Sequence, residues 1–338
     1  MSWSSAWSNR GRNVPGSWDV VLSVTIEAVT TDGPPDRAAA VAAMFRAQRP
    51  RLWGLAYRLT GSAEDAEDVV QDAFVRLATQ PPAAPVEDLG PWLARVATNL
   101  GIDALRRRRR RSYVGPWLPS PVESVASEAA NPESRYSLAE SATYAFLLAL
   151  EALSPRQRAV LLLRDVLGNS AQETADLIGT SEGGVRVLHL RARRALADYD
   201  ATRCVPTAEL RERHRAVLQQ FLDCLTNQDV HGVEALLAES VRTVTDAAGE
   251  YTALATPLEG RERVARLYLM AARHRQAGGT QTEIRIVNGL PAALITVLAP
   301  VRRQAPRTLL RCELDDAGRI VLVQAVLAPR KLAALDAP

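Results

Sequence analysis

Cysteine is scarce in this chain. The three cysteines among 338 residues, Cys204, Cys224 and Cys312, lie far apart with no pair at metal-ligand spacing. That argues against a disulfide framework and a cysteine-built metal site, and it makes a reducing cytoplasm the expected compartment. No metal and no cofactor is expected. Long apolar runs are lacking too: residues 20–29 are interrupted by Ser23, Thr25 and Glu27 and are too few to span a bilayer, so no membrane partner is expected. The opening stretch holds Trp3, Trp7 and Trp18 among serines, without the basic head and apolar core of a secretory leader. Residues 1–35 read as a flexible extension, or as sequence upstream of the natural start.

A large net charge is also missing, but the formal value of +3 hides local segregation. Residues 64–72 and 123–133 are acidic while other helices are strongly basic, which implies partners of both signs. With 47% hydrophobic residues, the chain is long enough for two or three compact domains. Ser62 and Asp65 have the spacing of a capping-box-like helix start, after which Ala66, Val69, Val70, Ala73, Phe74 and Leu77 recur at three- and four-residue intervals. That stripe is the candidate core. Glu64, Glu67, Asp68, Gln71 and Asp72 fill the other sides and are free for solvent or a partner.

Pro91 opens a second amphipathic helix through Trp92, Leu93, Val96, Ala97, Leu100 and Ala104, which runs into six consecutive arginines at residues 106–111. Cations complement the dipole at a helix C-terminus, yet six adjacent like charges repel one another, so local stability does not account for the run. A polyanion does, because neutralising phosphates releases condensed counterions. Arg106, Arg107, Arg108 and Arg109 are therefore candidate phosphate contacts. Trp92, Thr98, Asn99 and Asp103 are candidates for stacking on, or hydrogen bonding to, exposed bases, with a core position as the alternative for Trp92.

Residues 113–140 form a tether rich in proline, serine and glutamate. Pro116, Pro119 and Pro121 favour an extended form, and Trp117 with Leu118 supplies an apolar anchor that a plain spacer does not need, so the segment is expected to dock. Ser154 and Pro155 then start a helix with Ala159, Val160, Leu163 and Val166 as its buried set. Ser170 with Glu173 gives a second start, Gly179 turns the chain, and Ser181 caps a third helix to about Leu196. This is helix-turn-helix spacing. On the third helix Val185, Leu188, Ala192 and Leu196 share one face; Arg186, Leu190 and Arg194 lie opposite, with Arg191 on the flank. Those arginines are placed to reach guanine edges or phosphates in a major groove, and a small structural bundle is the alternative.

After Pro206 the pattern is mixed. Helices are expected over residues 210–225, 231–237 and 260–273, and strands over 284–287, 293–298, 308–313 and 320–325, with turns at Asn288-Gly289 and at Asp315-Asp316-Ala317-Gly318. Helices followed by a curled antiparallel sheet make an α+β cone with an internal pocket.

Residues 40–200 resemble a bacterial sigma factor of the extracytoplasmic-function class. Leu55-Ala56-Tyr57-Arg58-Leu59, Ser62-Ala63-Glu64-Asp65-Ala66-Glu67-Asp68 and Gln71-Asp72-Ala73-Phe74 are similar to region 2; Leu153-Ser154-Pro155-Arg156-Gln157-Arg158 through the third helix is similar to region 4. The resemblance implies core RNA polymerase and promoter DNA as partners. Region 2 would bind the clamp helices of the largest polymerase subunit through Asp68, Gln71 and Asp72, and would read and melt the −10 element with the helix over residues 99–108. Region 4 would sit on the polymerase flap and read the −35 element with Arg186, Arg191 and Arg194.

The C-terminal part resembles a SnoaL-like domain of the nuclear-transport-factor superfamily, and residues 113–121 resemble the linker of sigma factors that carry such a domain. In that subgroup the domain resembles a built-in regulator that packs on regions 2 and 4 in place of a separate anti-sigma factor. Trp117, Leu118 and Pro119 of the tether are the implied regulatory residues, together with Asp246, Gly249 and Lys331. Where the subgroup has Asp-Gly-Gly-Gly-Lys and Asn-Pro-Asp-Lys, this chain has Asp246-Ala247-Ala248-Gly249-Glu250 and Ala328-Pro329-Arg330-Lys331. The expected architecture is multidomain: a region 2 bundle at 36–112, the tether at 113–140, a region 4 helix-turn-helix at 141–200 and the cone at 201–338. The rival reading is an isomerase-like or hydrolase-like domain, or a small-ligand sensor, fused to a DNA-binding module, with Asp223, Asp246, Tyr251, Tyr268 and His274 available as polar groups. A pocket lined by paired Asp and His favours chemistry; an occluded or apolar interior favours regulation.

Overall fold

The computed structural model describes residues 35–80, 88–123 and 134–335; the expected N-terminal extension and most of the acidic stretch of the tether lie outside the described residues. The first bundle consists of α1 (Pro35–Thr60), α2 (Ala63–Thr79) and α3 (Gly90–Arg110). Ser62 Oγ accepts the Asp65 N–H at 3.1 Å and caps α2. The stripe Ala66, Val69, Val70, Ala73, Phe74 and Leu77 is buried as expected, against Leu52, Ala56, Leu93 and Ala97. At Gly101 a Cβ would meet Leu59 Cδ2 at 2.5 Å, so α1 and α3 cross closely only because that position is glycine. Such a residue costs a helix interior roughly 1 kcal/mol relative to alanine.

The second module contains α4 (Tyr144–Ala149), α5 (Pro155–Leu161), α6 (Ala171–Ile178), α7 (Glu182–Ala195) and the short α8 (Ala197–Ala201). Ser154 with Gln157 and Ser170 with Glu173 form reciprocal capping boxes, and Gly179 ends α6 in the left-handed region at φ 63°. The helix begun at Pro155 does not continue as α to Gly168. It widens into a π turn over Leu162–Val166, closed by the Leu167 N–H on the Leu162 carbonyl at 3.0 Å.

The two helical modules, expected as separated surfaces, pack face to face. Leu55, Leu59, Ile102 and Leu105 of the first share one core with Phe146, Leu150, Leu153 and Val160 of the second. The reason lies in α3, whose Ile102 and Leu105 form a second apolar edge beside the one that faces α1. An ion knot closes the seam: Glu151 takes Arg158 at 2.6 Å and Arg108 at 2.5 Å, and Arg158 is only 1% exposed. Burial lowers the Arg158 guanidinium to about 10 against the pull of Glu151. Burial also pushes the Glu151 carboxyl up, but Arg158 and Arg108 outweigh it and hold the group below its ordinary value.

The third domain has α9 (Ala208–Thr226), α10 (Val230–Leu236), β1 (Leu237–Asp246), β2 (Leu258–Glu259), α11 (Arg261–Gln276), β3 (Thr280–Val287), β4 (Leu290–Val297), β5 (Arg307–Leu314), β6 (Ile320–Val326) and α12 (Pro329–Leu332). Its six-stranded sheet has the order β2-β1-β6-β5-β4-β3. The expected antiparallel sheet needs one correction, because β1 pairs with β6 in parallel. Strand β1 follows α10 without a break, and the long connection from β1 to β6 permits a parallel pair that no hairpin could make. One face of the sheet, with Leu310 and Val323, packs on Leu218 and Phe221 of α9 and Tyr268 of α11. The opposite face, with Val287, Ala292, Leu294, Leu309 and Val326, packs on Leu118 of the tether and Tyr144 of α4. Strand β4 is therefore covered on both sides, which explains its apolar run from Leu290 to Ile295. No helix among the described residues is long and apolar enough to cross a membrane.

Glu151→Gln leaves the buried Arg158 guanidinium without its counter-charge and is expected to lower stability by about 3 kcal/mol in urea titrations, with Arg158→Met in the same chain recovering most of the loss. Because the Glu151 pKa is depressed in the folded state, its contribution is present above the ordinary carboxylate pKa and is lost as pH falls. The variant should therefore flatten the acid limb of the stability profile.

Candidate nucleic-acid interface

Helix α3 is oriented by Leu93, Ala97, Leu100 and Ala104, which turn inward and leave its arginine-rich end at the surface. Arg106, Arg107, Arg110 and Arg111 are exposed. Arg106 holds Asp103 at 2.9 Å, both of them exposed, while Arg107 lies near enough to Asp68 and Asp72 to bear on both carboxylates. Arg108 and Arg109, expected to touch phosphate, both hold partners within the chain, Arg108 half-buried and Arg109 exposed. Arg108 donates to Glu151 and to the Thr60 carbonyl at 2.7 Å, and its guanidinium stands 4.0 Å from the centre of the Trp117 ring. Arg109 donates to the Leu153 carbonyl.

The candidate base contacts separate as well. Thr98 is 1% exposed, and its hydroxyl donates to the Ala94 carbonyl at 2.7 Å, so its expected role at a base is corrected to a packed helix position. Asn99 Nδ2 donates to the Leu177 carbonyl of α6 at 3.0 Å, which spends its amide on the second module. Trp92 is half-buried and packs on the first bundle's core, the alternative kept for it. Of the four, only Asp103 is exposed.

On α7 the inner face is Val185, Ala192 and Leu196, and Ser181 Oγ caps the helix by accepting the Gly184 N–H at 3.1 Å. His189 braces the flank on Asp165 at 2.8 Å. Arg186, Arg191 and Arg194 all point to solvent, Arg186 held by Glu182. On α2, Asp68 and Asp72 are exposed and Gln71 is half-buried. Desolvation by its surroundings, reinforced by Glu64, Asp65 and Asp72, raises the Asp68 carboxyl to about 6. This concentrated negative face has α3's arginines beside it.

The tether docks in the seam between the first bundle and the cone. Asp246, 0% exposed, accepts from Tyr113 Oη at 2.6 Å, from the Leu118 N–H at 2.7 Å and from Lys331 Nζ at 2.6 Å. Lys331 is the only lysine in the sequence; it also donates to the Leu118 carbonyl and lies 4.6 Å from the Trp117 ring centre. Burial lowers its ammonium to about 8, with Asp246 opposing. Trp117 thus meets a cation from α3 and another from the cone. It sits against Gly61, at φ 71°, where a Cβ would meet its ring at 2.8 Å. Gly249 faces Val114 in the same way, at 3.0 Å.

The residue whose importance sequence reading missed is Asn288. Asn288 and Gly289 both have positive φ, as the tight turn between β3 and β4 requires. The buried Asn288 side chain then donates to Tyr57 Oη at 2.6 Å and to the Ala142 carbonyl at 2.7 Å, and accepts the Val122 N–H at 3.0 Å. Tyr57 Oη donates in turn to the Ser120 carbonyl at 2.7 Å, and Tyr144 Oη to the Pro119 carbonyl at 2.8 Å. A turn signal was visible in the sequence; nothing there showed that the amide would bridge three segments.

The polar groups of the rival enzymatic reading do not converge. Asp246 is spent on the tether, Tyr268 bonds Thr243 at 2.6 Å inside the cone, and exposed Asp223 takes Gln219 at 2.9 Å. His274 is at the surface. Lys331→Ala would leave the Asp246 carboxylate buried without its cation, and is expected to loosen the tether by about 2–4 kcal/mol. The check is a red shift of tryptophan emission as Trp117 meets water, together with a lower Tm.

Residues 44–111 match the family model for sigma-70 region 2, and residues 144–196 match that for sigma-70 region 4. The chain is 33% identical over 269 residues to the ECF RNA polymerase sigma factor SigJ of Mycobacterium tuberculosis, covering 78% of this chain and 84% of that one. It is 31% identical over 301 residues to the probable ECF RNA polymerase sigma factor SigI of the same organism, covering 88% and 96%. The crystal structure of the Mycobacterium tuberculosis extracytoplasmic function sigma factor SigJ matches with a TM-score of 0.65 at 27% identity, over 88% of this chain and 100% of that one. With regions 2 and 4 in order and an α+β domain behind them, the chain belongs to the extracytoplasmic-function sigma factors.

Proposed function

We propose that this sigma factor brings core RNA polymerase to promoters through −10 contacts on α3 and −35 contacts on α7, and that its C-terminal cone restrains it in cis. Asp68, Gln71 and Asp72 form the polymerase-binding face, and the work is done in the cytoplasm by binding rather than by covalent chemistry. The −35 and −10 elements are about 25 base pairs apart by their names, on the order of 85 Å along B-form DNA. Two readers packed core to core do not span that distance, so the shared core must part before both elements are held. Asn288 carries this reading, because one amide of the cone ties region 2 at Tyr57, the start of region 4 at Ala142 and the tether at Val122. While it is seated, Arg108 and Asn99 stay turned toward region 4.

Run-off transcription with core RNA polymerase tests both parts. Promoter-dependent transcript is expected from the full chain, and Asn288→Ala or Lys331→Ala should raise it several-fold. Absence of any promoter-dependent transcript from all three proteins would count against the promoter-directing role, and lower output from the variants would reverse the sign of the regulation.

Replacing the exposed Arg106, Arg107, Arg110 and Arg111 with alanine should weaken promoter binding across sequences and flatten its salt dependence, by about 0.9 in log–log slope for each phosphate no longer neutralised. A series of binding isotherms at rising salt measures it, and an unchanged slope would remove these arginines from the interface.

A further inference from the structure

We infer that Leu190 and Val187 are the thymine-reading side chains of α7, seated against 5-methyl groups in the major groove of the −35 element, and that Gly183 is kept small so that the helix start can lie against the bases. The inference rests on the promoter-reading role proposed for α7 and names what that helix reads.

At 100° per residue, Gly183, Val187, Leu190 and Arg194 fall at the centre of the face opposite buried Val185 and Ala192, and Arg186 and Arg191 fall on its two sides. Leu190 is 53% exposed and Val187 50%. Two branched apolar side chains therefore stand in water in the middle of a basic face, uncovered even though the rest of region 4 is packed on its neighbours. A face meant only for phosphates would gain nothing from them. The apolar feature of the major groove is the thymine methyl, which aliphatic side chains contact, while flanking arginines are placed for phosphates or guanine edges.

Gly183 gives a second, independent observation. Glycine weakens a helix, and near Gly184 a Cβ would meet Thr180 Oγ1 at 2.9 Å, which is a reason inside the protein for that glycine. Around Gly183 none of the described residues lies within 4 Å of such a Cβ. Among the described residues no contact calls for a glycine there, and the position lies at the helix start, where recognition helices meet base edges, so a side chain at residue 183 would stand toward the bases.

The test uses the full chain bound to core RNA polymerase, on promoter duplexes in which each thymine of the −35 region is replaced singly by deoxyuridine, which removes only the methyl. One or two replacements should weaken binding about fourfold each, the factor expected for one buried methyl. Leu190→Ala and Val187→Ala should each abolish the effect of one replacement without moving Tm, and Gly183→Ala should raise Tm while weakening promoter binding. Deoxyuridine without effect on the parent protein would overturn the inference, as would an undiminished effect in both variants. A holoenzyme that binds promoters normally but ignores the methyl group defeats thymine reading alone; one that selects no promoter defeats the role of α7 as well.

Discussion

A carboxylate that is wholly out of water needs every lone pair answered, and the arrangement of this molecule follows from how Asp246 meets that need. Besides the nearby Ala248 N–H, its partners are a phenol and a backbone amide from the tether and the ammonium of Lys331 from the far end of the cone. The last three are distant from Asp246 in sequence and reach it only through the fold. Removing any one leaves charge or a donor buried without compensation, which costs far more than the pair gains over solvent. The tether is therefore held in one position, and Trp117 with it, close beneath the end of α3.

That position propagates to the basic end of α3. Trp117 lies against Arg108, Arg108 shares Glu151 with the buried Arg158, and Glu151 belongs to region 4. A chain of ionic and cation–π contacts thus runs from the cone through the tether to both helical modules. The shared core of Ile102, Leu105, Leu150 and Val160 supplies the apolar part of the same closure. Parting the two modules would expose that apolar surface and unpair those charges together, a cost that only a large partner surface could offset. Helix α7 stands apart from this network on its outer side, where Leu190 and Arg194 face solvent in the closed form.

Much of the local structure was legible from short-range chemistry. Ser62, Ser154, Ser170 and Ser181 cap helices because a side-chain oxygen three residues before an unpaired N–H is sufficient, and Gly179 ends α6 because a left-handed residue was needed there. The strands from β3 to β6 were legible from β-branched runs between turn signals, whereas β1 was missed because its burial depends on β6, some 80 residues away along the chain. Thr98 and Asn99 looked free on a single helix, whereas in the folded chain Thr98 is buried with its hydroxyl on the Ala94 carbonyl and Asn99 is turned to the Leu177 carbonyl of a neighbouring module.

Which helix faces are charged and outward was written in periodicity and charge, since the arginine run, the acidic face of α2 and the outward side of α7 are properties of single helices; polymerase as the partner of the acidic face came from the family resemblance alone. Whether those faces are free to meet a partner was set by long-range packing. Asn288 is an ordinary turn residue until the cone carries it 2.6 Å from Tyr57, and Arg108 is one arginine of six until Glu151 and Trp117 single it out. Helical pattern acts over four residues and charge over a few ångströms, so neither reports on partners that meet only when three domains close on one another.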